Sequence, residues 1–130
     1  MRTVAIIGSR TVAENTTNID LVTKKLREIC AGDKELPVIC SGGASGGDTI
    51  AEMVSEEHQM DMIIYRAKWR IHDKKAGFLR NHDIESTSNE CIAIIDKPLA
   101  ESKGTAHTVG LFKKAGKPVH IIEVEGEKNV

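Results

Sequence analysis

The chain has few aromatic residues, few cysteines and no long apolar run. Only 3% of its 130 residues are aromatic, so the core must be built from aliphatic side chains. The longest apolar runs, Val4–Gly8 and Cys91–Ile95, are far shorter than the roughly 20 residues that a membrane helix needs. Met1 and Arg2 lead directly into a strand-like run without a small-residue cleavage site, so no secretory signal is expected. These absences predict a protein of the cytoplasm that has no membrane partner.

The three cysteines, Cys30, Cys40 and Cys91, are odd in number and contain no CxxC spacing. Two of them lie inside apolar runs, which is typical of buried thiols in a reducing compartment rather than of disulfides. The histidines in the expected loops do not have the spacing of zinc ligands either. We therefore predict no metal site.

Charge is nearly balanced over the whole chain but not along it. The chain has 18 basic and 19 acidic residues, which gives a net charge of −1. Residues 66–80 contain six basic residues and one acid, Asp73, so this stretch carries a local excess of five positive charges. A basic patch on an acidic body favours a discrete anion site over a long track for nucleic acid.

Strand-like and helix-like periods alternate through the sequence. The strand-like runs are Thr3–Gly8, Pro37–Ser41, Asp61–Tyr65, Cys91–Ile95 and Val119–Val124. Four helices are expected between them, the third from about Lys74 to Ser86 and the fourth from about Lys103 to Ala115. This alternation predicts one α/β domain, a doubly wound parallel sheet with helices on both faces. We place the domain at residues 1–124 and a polar tail at residues 125–130.

Ligands of such sheets bind beyond the carboxyl ends of the strands, so the loops that follow the strands hold the candidate site. After the second strand, residues 41–48 read SGGASGGD and lead into a helix. Four glycines in six residues allow close approach of the backbone to a ligand, and a helix N-terminus attracts anions. The sequence KGT at residues 103–105 repeats this arrangement at the fourth helix. Together with the basic stretch, the two loops favour a phosphate-bearing ligand, although tight turns alone would also explain the glycines.

Four segments make the chain similar to the YspA-type branch of the SLOG superfamily. They read AIIGSR near the amino terminus, SGGASGGDTIAE after the second strand, KWRIHDKKAGFLRNHDI after the third, and KGTAHTVGLFKKAGKPV after the fourth. The similarity spans roughly Thr3 to Ile122. It implies a Rossmann-like sheet of strand order 3-2-1-4-5, a nucleotide or ADP-ribose-like ligand without a required cofactor, and a homodimer. The function it implies is a sensor or sequestering module for that ligand.

The related LOG phosphoribohydrolases suggest an alternative function, the cleavage of the N-glycosidic bond of a nucleoside monophosphate. Their arginine after the third strand matches Arg80, but His107 stands where their motif has a glutamate. Because a carboxylate stabilises the oxocarbenium-like transition state, this replacement weakens the hydrolase interpretation. If the chain is an enzyme, Arg80, Asp48 and Glu52 are the candidate catalytic residues. Single-stranded DNA binding, by analogy with the related DprA, is disfavoured by the near-neutral charge and the single candidate stacking aromatic.

Several candidate residues have two interpretations. Asp48 either complements the helix dipole or contacts a ribose hydroxyl. Trp69 either stacks on a base or holds a long loop against the domain. Arg10 and Arg80 are the best candidates for phosphate binding, because a guanidinium holds an oxyanion with two hydrogen bonds. The complete set of predicted ligand-binding residues is Gly8, Ser9, Arg10, Ser41, Gly42, Gly43, Ala44, Gly46, Gly47, Asp48, Trp69, Lys75, Arg80, Asn81, Lys103, Gly104 and Thr105.

Overall fold

A five-stranded parallel sheet forms the centre of the protein, as seen in a computed structural model that describes residues 1–72 and 75–125. Its strands are β1 (Thr3–Gly8), β2 (Val38–Ser41), β3 (Met62–Ile64), β4 (Glu90–Ile95) and β5 (Val119–Glu123). Their order across the sheet is β3-β2-β1-β4-β5, and every neighbouring pair is parallel. The predicted fold class and strand order are confirmed.

Helices connect the strands and cover the sheet. They are α1 (Thr16–Ile29), α2 (Gly47–Glu57), α3 (Trp69–His72), α4 (Ala76–Thr87) and α5 (Lys103–Lys114), and a 3-10 turn spans Leu99–Glu101. The short helix α3 was not expected, because none of its side chains is buried and no helical apolar period marks it. Lys74, where we placed the start of the third helix, lies outside the described residues.

The core consists of two apolar layers, one on each face of the sheet. On one face, Val22 and Leu26 of α1 and Ile50 and Val54 of α2 pack against the strands. On the other face, Ile84 of α4 and Val109 and Phe112 of α5 do the same. Strands buried on both faces read as continuous aliphatic runs, which is why the sequence reveals them so clearly. Helices on both faces are confirmed.

Three further predictions concern the cysteines, membrane-spanning helices and the polar tail. Cys40 and Cys91 are fully buried and Cys30 is half-buried, and all three are free thiols. No helix within residues 1–72 and 75–125 has the length and apolar character to cross a bilayer. Of the predicted polar tail, residues 126–130 lie outside the described part of the chain.

Candidate functional site

A cleft of about 270 Å³ opens at the carboxyl edge of the sheet, between the end of β1 and the start of α5. We call it the α5 cleft. From the amino-terminal half of the chain it is lined by the predicted residues Gly8, Arg10, Ala44 and Asp48. From α4 and α5 it is lined by the predicted residues Arg80, Asn81, Lys103, Gly104 and Thr105. The fold thus gathers residues from four separate loops and helices around one cavity.

Arg80 is the half-buried cation in the wall of this cleft. Its Nη1 donates to the carbonyl oxygen of Gly42 at 2.8 Å, and its Nε donates to Oδ1 of Asn81 at 2.9 Å. No carboxylate of the described residues lies within 4 Å of its guanidinium. Two hydrogen bonds therefore fix the orientation of a guanidinium that forms no ion pair with a described side chain, although the charge of Asp48 acts on it from a greater distance. A guanidinium without an ion pair can bind an oxyanion ligand.

Asn81 holds α4 to α5 from a buried position. Besides accepting from Arg80, it donates through Nδ2 to the carbonyl oxygen of Gly104 at 3.4 Å and lies 3.2 Å from Nδ1 of His107. His107 also packs edge-on against the Phe78 ring, and it is not among the residues that line the α5 cleft. The first turn of α5 therefore presents no carboxylate to the cleft at this position.

Asp48 is a buried carboxyl group in the same wall. Its Oδ2 accepts a hydrogen bond from the backbone N–H of Ala44 at 3.0 Å. Burial raises the pKa of Asp48 to about 6, although the Ala44 hydrogen bond and the nearby Arg80 charge both oppose the rise. Asp48 therefore changes protonation state within the cleft near pH 6, unlike an exposed aspartate.

We expect Asp48→Asn to remove a pH-dependent loss of stability. Because the folded pKa of about 6 lies above the ordinary value of 3.8, ionising Asp48 destabilises the fold as pH rises through that window. The shift corresponds to about 3 kcal/mol. The amide oxygen of asparagine can still accept from Ala44. Urea unfolding of both proteins at about pH 4 and about pH 7 measures the effect. The variant should gain about 2 kcal/mol relative to wild type between these two pH values, because part of the destabilisation is already present at about pH 4. A constant difference would show that Asp48 titrates normally.

The glycine-rich loop directs most of its backbone N–H groups to protein acceptors rather than to open space. The N–H of Gly43 donates to Oγ of Ser41, and that of Ala44 donates to Asp48. The N–H of Gly46 donates to Oε1 of Glu14 at 3.1 Å. A carboxylate thus already occupies a donor near the start of α2, and only Ala44 of residues 41–47 lines the α5 cleft. The N–H groups of Gly43, Ala44 and Gly46 are therefore already hydrogen-bonded within the protein, and phosphate binding by this loop stays a prediction.

Packing requires the glycine at the end of β1 and the two glycines at the start of α2. A Cβ atom on Gly47 would overlap the backbone of Gly8, and one on Gly8 would overlap the carbonyl oxygen of Ile94. Gly46 has a φ of +72° and no room for a Cβ beside the backbone of Ser9 and Arg10. These residues bring α2 against β1, so packing alone explains why they are glycines.

The start of α5 differs from the start of α2 because its backbone is open. The first N–H groups of a helix have no intrahelical acceptor, and the side chain of Ser102 makes no capping hydrogen bond to them. Instead, Oγ of Ser102 donates to Oγ1 of Thr105 at 3.2 Å and accepts from Oγ of Ser9. A Cβ on Gly104 would meet no atom within 4 Å. Because Gly104 lines the cleft and packing does not require it, its lack of a side chain leaves open space beside the helix N-terminus.

A second cleft of about 260 Å³ adjoins the first. It shares Arg10, Ala44 and Arg80 with the α5 cleft, and its other lining residues are Gly42, Gly43, Arg66, Ala67 and Trp69. We call it the arginine cleft. Trp69 keeps 53% of its surface exposed there. The predicted residues that line neither cleft are Ser9, Ser41, Gly46, Gly47 and Lys75, together with the candidate acid Glu52.

Sequence reasoning missed several residues of these clefts. Lys97 and Glu101 follow β4 and line the α5 cleft, and the same rule that directed attention to the other strand ends would have found them. Thr108 lies one helical turn after Gly104 and lines the same cleft, so helical spacing was its available signal. Arg66 lies just beyond β3, and only its place in the basic stretch marked it.

Cations at the two edges of the sheet differ in how they are neutralised. At the amino edge, Arg2 forms ion pairs with Asp33 and Glu90 beside a cleft of about 520 Å³. At the carboxyl edge, no carboxylate of the described residues lies within 4 Å of Arg10, Arg66 or Arg80. The α5 cleft has four cationic and two acidic side chains, which leaves an excess of two positive charges if both acids are ionised. This excess suits a ligand that carries two negative charges.

Comparison with known proteins identifies a bacteriophage relative. No family model matches the chain, and no solved structure matches it. The chain is 37% identical over 125 residues to the Gene 61 protein of Mycobacterium phage D29, an alignment that covers 92% of this chain and 94% of the phage protein. The chain belongs to the family of this Gene 61 protein. That name states no ligand or reaction. The two clefts are therefore the basis for a proposed function.

Proposed function

We propose that this protein binds a nucleotide, or another phosphorylated nucleotide derivative such as an ADP-ribose-like molecule, as a sensor or sequestering module. The observation that carries the proposal is the α5 cleft, where an open helix N-terminus, Arg10, Arg80 and Lys103 surround one cavity. Cationic side chains and a helix N-terminus that line one cavity favour a phosphate group. The resemblance of the sequence to the YspA-type branch of the SLOG superfamily supports the nucleotide part of the proposal.

A thermal-shift screen followed by calorimetric titration tests this function. The screen should include nucleoside mono- and diphosphates, NAD and ADP-ribose, with inorganic phosphate and the free nucleosides as controls. A ligand that binds the folded state raises the melting temperature in proportion to the logarithm of its concentration over its Kd. We expect phosphorylated compounds to stabilise the protein and free nucleosides to do so much less. Equal stabilisation by nucleosides and nucleotides would contradict a phosphate-centred site.

Gly104→Ala should increase stability and decrease ligand affinity. Alanine in a helix is favoured over glycine by up to about 1 kcal/mol, and no atom lies within 4 Å of the new methyl group. The same methyl group stands beside the phosphate that we place at the start of α5. Urea unfolding and calorimetry with the best ligand of the screen measure the two effects. Gly110→Ala, in the same helix and also without a neighbour within 4 Å, is the matched control for stability without a change in affinity. Unchanged affinity in Gly104→Ala would move the phosphate away from α5.

Nucleotide hydrolysis is the second candidate function, and Asp48 is the observation that favours it. A buried carboxyl group with a pKa of about 6 in the wall of the cleft is suited to proton transfer near neutral pH. Incubation with nucleoside monophosphates and chromatography of the free base tests this candidate. Release of base that disappears in Asp48→Asn would establish hydrolysis. Intact nucleotide in the presence of demonstrated binding would leave the sensor function.

We also propose that the protein acts in the cytoplasm, which rests on its three free cysteines, and that it forms a homodimer, which rests on the resemblance to the SLOG superfamily. Light scattering distinguishes a dimer from the 14.2 kDa chain directly. A mass of one chain across micromolar concentrations would rule the dimer out.

A further inference from the structure

The arginine cleft is lined by several positively charged side chains. Arg10, Arg66 and Arg80 line it, and within residues 1–72 and 75–125 no acidic side chain does so. The Nη1 of Arg66 donates to the carbonyl oxygen of Gly43 at 3.2 Å, which keeps this guanidinium over the glycine-rich loop. Burial lowers the pKa of the Arg80 guanidinium, the charge of Asp48 opposes this, and the charge of Arg10 adds a smaller lowering. Three like charges around one small cavity repel one another, and a bound anion relieves that repulsion.

The two clefts adjoin and share three lining residues. Arg10, Ala44 and Arg80 belong to both, so an anion in either cleft lies beside the same guanidiniums. Each cleft alone, at about 270 and about 260 Å³, is below the roughly 300–1,000 Å³ that ligand pockets span. The two together fall within that range, which favours one extended ligand over two small ones.

Trp69 supplies an apolar surface to the arginine cleft. The residue is more than half exposed, and every other large side chain of the described residues that line this cleft is an arginine. An exposed indole beside guanidiniums is the arrangement on which a planar aromatic base stacks. The alternative role of Trp69, holding the loop to the domain, rests on its contact with α4, where its ring would lie 3.4 Å from a Cβ on Gly77.

We propose that the arginine cleft is a second subsite, so that the ligand is a nucleoside diphosphate rather than a monophosphate. The terminal phosphate occupies the α5 cleft, the inner phosphate lies among Arg10, Arg66 and Arg80, and the base stacks on Trp69. This inference rests on the proposed nucleotide-binding function, because it assigns the terminal phosphate to the α5 cleft.

Calorimetric titration of the full chain with ADP, AMP, GDP and GMP tests the second subsite. The wild-type protein should bind the better diphosphate at least about tenfold more tightly than its monophosphate, because one added charge-assisted contact is worth about that factor. In Arg66→Gln this preference should fall to about threefold or less. Arg70→Gln is the matched control, since Arg70 is an exposed arginine of the same basic stretch that lines neither cleft. Circular dichroism confirms that each variant is folded.

Trp69 is the only tryptophan of the chain, so its fluorescence provides an independent measurement. We expect the diphosphate to quench this fluorescence and inorganic pyrophosphate to leave it nearly unchanged. Equal affinity for mono- and diphosphate, an unchanged preference in Arg66→Gln, or unchanged fluorescence on saturation would overturn the second subsite. If one of those results occurs while nucleotide binding still depends on Arg80, the proposed nucleotide-binding function stands without the second subsite. If none of the nucleotides binds, both proposals fail.

Discussion

Arg80→Ala is expected to weaken nucleotide binding by about tenfold to a hundredfold while the domain remains folded. Arg80 lines both clefts, as Arg10 does, and hydrogen bonds to Gly42 and Asn81 fix the position of its guanidinium. A hydrogen bond between charged groups contributes roughly 1.5–3 kcal/mol, which corresponds to this range of affinity. Calorimetric titration with the best nucleotide of the screen measures the loss.

Arg70→Ala is the control for this experiment, because it removes the same charge from the same basic stretch without changing either cleft. Its affinity should remain within about twofold of wild type, since an exposed charge outside the site acts only through a screened field. Circular dichroism and a urea midpoint show whether Arg80→Ala is folded. Equal affinities of the two variants, with both folded, would mean that the basic stretch acts only as a diffuse field and that Arg80 does not touch the ligand.

Gly47→Ala is expected to prevent stable folding, although it adds a single methyl group. The new Cβ would overlap Cα and N of Gly8, and these backbone atoms belong to the central strand β1. Overpacking of this kind costs about 1–3 kcal/mol when side chains can move aside, and more when the backbone itself must move. A domain of this size is stable by only about 5–15 kcal/mol. Urea unfolding followed by circular dichroism measures the effect.

Gly110→Ala is the matched control for Gly47→Ala, because it makes the same chemical change where no atom lies within 4 Å. It should leave the urea midpoint unchanged or raise it. A wild-type midpoint in Gly47→Ala would show that α2 can move away from β1, and that Gly47 is available to a ligand as the sequence first suggested.

The fold could be predicted from the sequence to a large extent, for a physical reason. The three central strands β1, β2 and β4 are buried on both faces, so each reads as a short aliphatic run, and helical periods separate the strands. The strand order came from the family resemblance, because alternation alone does not determine which strands are neighbours. Helix α3 could not be predicted, since Trp69 and Ile71 are apolar yet exposed and leave no burial pattern.

The site could be predicted only in part, because sequence does not distinguish a glycine needed for packing from one that leaves room for a ligand. Gly47 is needed by β1, whereas Gly104 faces open space, and both follow a strand in a glycine-containing loop. The sequence alone does not show which of these two roles Gly43 has either. Its φ is +69° and a Cβ would lie 2.8 Å from Nη1 of Arg66, so a Gly43→Val variant would be strained with or without a ligand. Only the three-dimensional environment identifies Gly104 as the informative substitution.

The central claim is that a phosphate group binds at the start of α5, and two-dimensional ¹H–¹⁵N NMR spectroscopy of the protein titrated with ADP tests it most directly. We expect the largest shifts at the amides of Lys103, Gly104 and Thr105, followed by those of Arg10 and Ala44. Amides of the cleft at the opposite edge of the sheet, such as those of Lys34 and Asn89, should not move. Shifts at that opposite edge with an unperturbed α5 would contradict the account.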